Sequence, residues 1–141
     1  MKSKPDLLAE IAAAPPMAAK LAAVRAGGAA SFEHVVEAAQ PFLAALLARE
    51  ALERVWLVCA DVRAQETFHN ELLQFFPEAL FFPELDRAPV EGALPDPESV
   101  AERLGIVEKL ATAKGRQLVV LTRASLDDEV PSPAALRQLE V

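Results

Sequence analysis

Three short apolar runs constrain the fold of this chain more than any other feature. They lie at residues 55–59, 79–82 and 118–121, and the first and third are rich in valine and leucine. Apolar runs of this length, without alternation of polar residues, are typical of parallel strands buried on both faces. We therefore predict three strands and expect residues 55–59 and 118–121 to be buried on both faces.

Amphipathic helical patterns separate these runs. The helix after Asp61 is predicted to end before Pro77, and the next is predicted to begin with Asp96 as its cap and Pro97 at its first position. Gly115 ends that second pattern. Strands that alternate with helices imply right-handed crossovers, so the predicted fold class is α/β, with a parallel sheet and helices on both faces.

Prolines and glycines divide the rest of the chain. Pro15 and Pro16 split an alanine-rich stripe into two short helices, and Ser31 is predicted to cap a further helix that Pro41 kinks or restarts. Residues 83–96 contain several prolines and no periodicity, which predicts an extended loop of a length that is often functional. A last short helix is predicted after Ser132.

Composition and charge limit the function. The 141 residues include 21 acidic and 14 basic side chains, which gives a formal net charge of −7. The chain as a whole is therefore a poor candidate for binding the phosphates of DNA. Its single cysteine, Cys59, excludes an intramolecular disulfide and a cysteine-based zinc site. There is no signal-peptide pattern and no apolar stretch of the ~20 residues that span a bilayer. A cytoplasmic protein without membrane contact is expected.

Gly27, Gly28 and Ser31 form the candidate cofactor-binding element. Glycine-rich turns of this kind bind phosphate in α/β folds, where backbone amides and a helix dipole meet the anion. A working phosphate loop also needs a lysine beside its hydroxyl residue, and here Phe32 and Glu33 follow instead. We interpret the turn as a degenerate, non-functional phosphate loop. Glycines that end one helix and a serine that caps the next are the simpler alternative.

The other chemistry-bearing residues are assigned structural roles, so no catalytic residue and no metal ligand is predicted. His34 and His69 are expected at the surface or its boundary, and Cys59 as a small buried apolar residue. The acidic run 127–129 is expected to be a solvated loop. Four phenylalanines are expected to pack in the core: Phe75, Phe76, Phe81 and Phe82.

Arg87 and Arg103 keep two interpretations. Arg103 lies on the helix that follows the long loop, where it could pair with Glu98 or Glu102. It could equally tether the loop to that helix.

Three stretches, taken in order, carry a resemblance to a known family. They are residues 56–61 with the helix running into 75–78, residues 82–84 with the loop and helix up to Leu110, and residues 118–122 with the segment up to Pro131. Together they resemble the N-terminal module of bacterial transcription-repair coupling factors, which is itself similar to the excinuclease B subunit. The Phe-Phe-Pro-Glu run at 75–78 is especially similar to the excinuclease B pattern. The resemblance covers roughly residues 24–131.

The resemblance implies a vestigial P-loop helicase-like (RecA-like) domain that is not itself an enzyme. It implies a scaffold that helps recruit nucleotide-excision-repair proteins to stalled RNA polymerase. The partners, through the parent protein, are the excinuclease A subunit, RNA polymerase and DNA, while ATP and magnesium belong to separate motor domains. The implied domains are a helical extension at 1–23, the helicase-like domain at 24–127 and, at 128–141, the start of a following domain or a terminal helix.

Two alternatives stay open. One is a stand-alone small α/β nucleotide-binding protein or enzyme that uses the loop at residues 83–95 over the carboxyl ends of the strands. The other is direct binding of DNA by this domain, which predicts a steep loss of affinity with salt.

Overall fold

The computed structural model describes residues 6–50, 53–85, 92 and 94–139. It contains helices and strands in an α/β order, with short 3₁₀ turns at Glu37–Ala39 and Ala124–Leu126. The helices are α1 (Leu7–Ala13), α2 (Pro15–Arg25), α3 (Gln40–Glu50), α4 (Val62–Leu72), α5 (Pro97–Thr112) and α6 (Pro133–Leu139). The strands are β1 (Arg54–Cys59), β2 (Leu80–Phe81) and β3 (Gln117–Thr122).

The three strands form one parallel sheet in the order β1-β3-β2. In the register of this sheet, Trp56 lies beside Val119 and Leu80 lies on the other side of Val119. The chain therefore crosses the sheet in one direction through α4 and returns through α5. Crossovers of the same hand that run in opposite directions cover opposite faces of a sheet.

The packing follows from this topology. On one face, α3 and α4 pack with Leu72 against Val55, Leu118 and Val120. On the other face, α5 packs with Leu110 against Val119 and Leu121. These contacts confirm the predicted α/β class, with a parallel sheet and helices on both faces.

Strand β1 differs from the prediction because one of its faces is open. Every residue of β3 is buried, as expected for the central strand. In β1, however, Trp56 is 48% exposed and Val58 is 49% exposed. The physical reason is position: β1 is an edge strand, and the helix on that face packs over β3 and β2. The apolar run predicted the strand, but complete burial of residues 55–59 was wrong.

The N-terminal third of the chain also departs from one prediction. Pro15 begins α2 after a break at Ala14, so the predicted pair of short helices is confirmed. The helix predicted to begin at Ser31 is absent, since residues 31–36 are irregular and the next helical turn begins at Glu37. Helix α2 runs across position 23, the implied end of the N-terminal helical extension. Its Leu21 is buried, with 1% of its surface exposed. Asp6, before α1, accepts a hydrogen bond of 2.8 Å from Arg49 of α3.

Helix α4 ends at Leu72, earlier than its pattern predicted. The amides of Phe75 and Phe76 both donate to the Leu72 carbonyl and close a turn there. Phe76 and Phe82 belong to the two core clusters, whereas Phe75 is 40% exposed and makes an edge contact with Phe42. Core packing was therefore the wrong prediction for Phe75, which lies in the turn beyond the helix.

The loop and the last helix follow their predictions where the structure describes them. Residues 82–85 and 94–96 are irregular, and the rest of the predicted loop, except residue 92, lies outside the described residues. Asp96 caps α5, and the Ser132 hydroxyl accepts from the Ala135 amide at the start of α6. Within the described residues, no single helix is long and apolar enough to span a bilayer. Among the described helices, only α1 and α2 taken together meet that length and composition, and they are bent by 85°.

Gln65 joins α4 to the two neighbouring strands. Its side chain is fully buried, and Nε2 donates to the carbonyls of Phe82 and Val120 at 2.8 and 2.9 Å, while Oε1 has no hydrogen-bond partner among the described residues. No structural role was predicted for Gln65 from the sequence. Its spacing could have indicated its burial, because Gln65 precedes Phe68 and Leu72 on the core-facing stripe of α4.

Substitutions of Gln65 should therefore rank in a definite order. Gln65→Leu removes the two hydrogen bonds that Nε2 donates, and it also removes Oε1, which has no partner among the described residues. We therefore expect it to lower the free energy of unfolding by about 1–3 kcal/mol. Gln65→Glu places a carboxylate against two carbonyl oxygens and should cost more than Gln65→Leu. Urea unfolding followed by circular dichroism measures both. An equal or smaller loss for Gln65→Glu would contradict the donor role of Nε2.

Candidate functional site

The carboxyl ends of the strands form the candidate functional site. Parallel α/β sheets bind their ligands at this edge because the connecting loops and helix N-termini meet there. In this chain β1 leads into Asp61, β2 leads into Phe82 and Pro83, and β3 leads into the 3₁₀ turn Ala124–Leu126. The side chains at these three ends decide what the edge can bind.

A cleft of about 730 Å³ lies beside the end of β1, which is a volume typical of ligand sites. Its lining includes the carboxylates of Glu37, Asp61 and Glu71 and one cation, Arg63. Asp61 also occupies the helix terminus itself, since its Oδ1 accepts from the Ala64 amide at 2.8 Å. A phosphate in this position would meet a carboxylate where a phosphate loop offers free amides. The cleft therefore disfavours the phosphates of a nucleotide.

The turn with Gly27, Gly28 and Ser31 lies elsewhere, after helix α2 rather than after a strand. Gly27 has a φ of 81°, a left-handed conformation that favours glycine, and its amide donates to the Val24 carbonyl. The Gly28 amide donates to the Ala23 carbonyl, a pattern that ends helices. These contacts account for both glycines as residues that end α2.

Lys20 lies over the Phe32 ring at 4.8 Å and donates through Nζ to the Ser31 carbonyl. The nearest upstream lysine is thus engaged with the backbone of this turn. The interpretation of Gly27, Gly28 and Ser31 as a degenerate phosphate loop stays a prediction.

Arg103 is the main link between the ends of β2 and β3. It lies on α5, is 4% exposed, and donates through Nη1 to the Pro83 carbonyl at 2.7 Å. The guanidinium lies 4.3 Å from the centre of the Phe82 ring and 3.3 Å from Asp128 Oδ2. Arg103 therefore holds the start of the long loop against α5, which confirms the tether interpretation. Arg87, the other arginine considered, lies outside the described residues.

The acidic partner of Arg103 was not predicted. Sequence proximity pointed to Glu98 or Glu102, but both are exposed on α5, and the ion pair forms with Asp128 after β3. The side chain of Asp128 is only 5% exposed, so a solvated loop was the wrong prediction for it. The pairing depends on the sheet, because β3 returns beside β2 and brings the segment after it to α5.

The electrostatics of this pair reflect its burial. Loss of hydration lowers the pKa of the Arg103 guanidinium, and the Asp128 carboxylate acts in the opposite direction by stabilising the cation. Nη2 of Arg103 has no hydrogen-bond partner in the described part of the chain. A buried pair that joins two segments in this way fixes their relative position, whatever its net contribution to stability.

The remaining candidates do not form a reactive centre. His34 is exposed, while His69 is partly buried with Nε2 3.0 Å from the Ala79 carbonyl oxygen. Burial raises the pKa of the Cys59 thiol, and the nearby Asp61 raises it further, which disfavours the reactive thiolate. Among the described residues, no group of three or more His, Cys, Asp and Glu side chains could hold a metal ion.

A short hydroxyl pair completes the edge. Thr122 Oγ1 lies 3.2 Å from Ser125 Oγ and accepts from the Ser125 amide at 3.3 Å. Both residues are buried, so these hydroxyls close the 3₁₀ turn after β3. This arrangement positions the chain and does not present a nucleophile to solvent.

No protein-family model, curated protein or solved structure matches this chain.

Removal of the Arg103 side chain should be strongly destabilising. Arg103→Met keeps apolar volume but removes the hydrogen bond to the Pro83 carbonyl and the cation beside Asp128, and we expect a loss of about 1.5–3 kcal/mol in the free energy of unfolding. Arg103→Lys should lose less, because it retains the charge. The matched control is Arg123→Met, at an exposed arginine, which should change stability by less than about 0.5 kcal/mol. Equal effects of Arg103→Met and Arg123→Met in urea unfolding would refute the role of the link.

Proposed function

We propose that this chain is a non-catalytic, helicase-like domain from the N-terminal part of a transcription-repair coupling factor. In this role it is a scaffold that helps recruit nucleotide-excision-repair proteins to stalled RNA polymerase. The parent protein supplies the contacts with the excinuclease A subunit, RNA polymerase and DNA. The motor domains of the parent bind ATP and magnesium.

One observation carries the non-catalytic part of the proposal. The helix terminus that follows β1 is capped by Asp61, and the cleft beside it is lined by two further carboxylates, Glu37 and Glu71. The turn with Gly27, Gly28 and Ser31 has no lysine beside its serine, and Lys20 contacts its backbone. Neither element favours a nucleotide triphosphate. The proposal therefore assigns this domain a structural task and leaves ATP hydrolysis to other parts of the parent.

The family part of the proposal rests on the three sequence stretches that resemble coupling factors. The structure supports it at the level of fold class, since these stretches form the strands and helices of one parallel α/β unit. The net charge of −7 fits a domain that contacts proteins, because a DNA-binding surface needs a basic patch.

Isothermal titration calorimetry with ATP and magnesium tests the non-catalytic claim. We expect no binding heat from the purified chain, because the site repels phosphate. Micromolar affinity together with magnesium-dependent hydrolysis would overturn the claim and favour the stand-alone nucleotide-binding alternative.

A genetic experiment tests the repair role. An in-frame deletion of residues 24–127 in the chromosomal gene should abolish the faster repair of transcribed strands and leave repair of non-transcribed strands unchanged. Strand-specific repair rates after ultraviolet irradiation measure this difference. The Arg123→Met variant serves as a control for expression from the edited locus. Preferential repair that persists in the deletion strain would contradict the proposal.

A further inference from the structure

Strand β1 has an open backbone edge. The carbonyls of Glu53 and Cys59 accept hydrogen bonds from the amides of Gln117 and Arg123, at 2.7 and 3.0 Å. Along a parallel strand, the residues that bond to one neighbour alternate with those that face away from it. The amides and carbonyls at positions 56 and 58 therefore point away from β3. The described residues place no strand on that side, so these groups have no strand to pair with.

The open edge leads directly into the acidic cleft. Val58 lines this cleft of about 730 Å³, and so does Ala60, the next position that faces away from β3. Four charged side chains also line it, three carboxylates and one cation: Glu37, Asp61, Glu71 and Arg63. The edge and the cleft thus form one continuous surface with an excess of negative charge.

The two faces beside the edge differ in character. On the face of α5, Trp56 and Val58 are each about half exposed. On the face of α3 and α4 lies the cleft, with its carboxylates on the 3₁₀ turn Glu37–Ala39 and on α4. Side chains of an added strand would alternate between these faces. Apolar side chains on one face would cover Trp56 and Val58, while basic side chains on the other would reach the cleft.

The edge also lacks the usual protection against strand addition. Natural edge strands are protected by lysine, proline, a bulge or a covering element. Residues 55–59 contain neither lysine nor proline, and β1 pairs with β3 in unbroken register from Arg54 to Cys59. A regular strand of this kind can accept a further strand without rearrangement.

We propose that β1 binds an extended segment of a partner protein in which apolar and basic residues alternate. In this mode of recognition, main-chain hydrogen bonds provide affinity and side chains at alternate positions provide specificity. Charge selects the occupant, because the carboxylates of the cleft attract basic side chains, and the net charge of −7 opposes an acidic segment or a second copy. This binding surface goes beyond the repair role proposed above and does not depend on it.

Fluorescence of Trp56 reports the contact directly, because it is the only tryptophan of the chain and lies on the open edge. The probe is a capped peptide of alternating valine and lysine, about six residues long, which is a typical strand length. Titrated into the whole 141-residue chain, it should shift the Trp56 emission to shorter wavelength. Affinity should fall as salt rises, because ions screen the attraction. A peptide of alternating valine and glutamate should produce no shift.

Two N-methylated peptides separate strand pairing from attraction by charge alone. One carries N-methyl groups on its valines and the other on its lysines, so both keep the charge of the probe. In an added strand, only one of these sets of amides faces β1. One methylated peptide should therefore bind at least about fivefold more weakly than the other, because its donors are lost.

A pair of double variants tests the role of the cleft. Glu37→Gln with Glu71→Gln should weaken binding of the probe about three- to tenfold, because exposed ion pairs each contribute little. Glu98→Gln with Glu102→Gln is the matched control, since it makes the same change of charge at exposed positions of α5 and should bind like wild type. Circular dichroism and urea unfolding establish that both variants are folded.

Three results would overturn the proposal. They are no shift of the Trp56 emission up to about 1 mM probe, equal binding of the two methylated peptides, and equal binding by the two double variants. Equal binding of the methylated peptides, combined with weaker binding by the cleft variant, would indicate attraction to the carboxylates without strand addition.

Discussion

The double-sided burial of β3 is the constraint on which the rest of the structure depends. All six of its residues are buried, and its backbone bonds to β1 on one side and β2 on the other. A parallel strand in this position needs helices over both faces, which α3 and α4 provide on one and α5 on the other. At its polar ends, Gln117 Oε1 accepts from Arg54 at 2.9 Å and Thr122 contacts Ser125, while Gln117 Nε2 has no hydrogen-bond partner among the described residues.

The carboxyl edge of the sheet is joined from both helical layers. Gln65 reaches it from α4 and Arg103 from α5, and each donates to a main-chain carbonyl of the Phe82–Pro83 segment. Side chains that would otherwise be free to meet a ligand are thus used to fix the path of the backbone. The described part of this edge therefore has a fixed backbone shape.

Helix caps and strands could be predicted from the sequence, because neighbouring residues determine them. Asp61 and Asp96 were identified as caps because a carboxylate before a helix accepts from its first free amides. The strands could be identified because short apolar runs flanked by turn residues rarely form any other element. The helix expected at Ser31 failed because a capping residue cannot by itself supply an apolar face to hold a helix, and Phe32 packs with Lys20 instead.

Long-range features could not be predicted in this way. The open face of β1 depends on strand order, and the partner of Arg103 depends on where β3 returns to the sheet. Neither is a property of neighbouring residues. At the candidate site, Gln65 could have been found as a polar residue on an apolar stripe, whereas nothing in the acidic run distinguished Asp128 from Asp127.

The Asp61 cap has an evolutionary consequence for the site. A tethered carboxylate is present at an effective concentration in the millimolar range or above, so it acts as a permanent internal competitor for any anion that approaches the α4 terminus. Its loss alone would free an amide but would remove a cap that contributes about 1 kcal/mol. The cleft would still hold Glu37 and Glu71. Nucleotide binding at this cleft would thus require several substitutions together, and the first of them would weaken the fold before any affinity appeared.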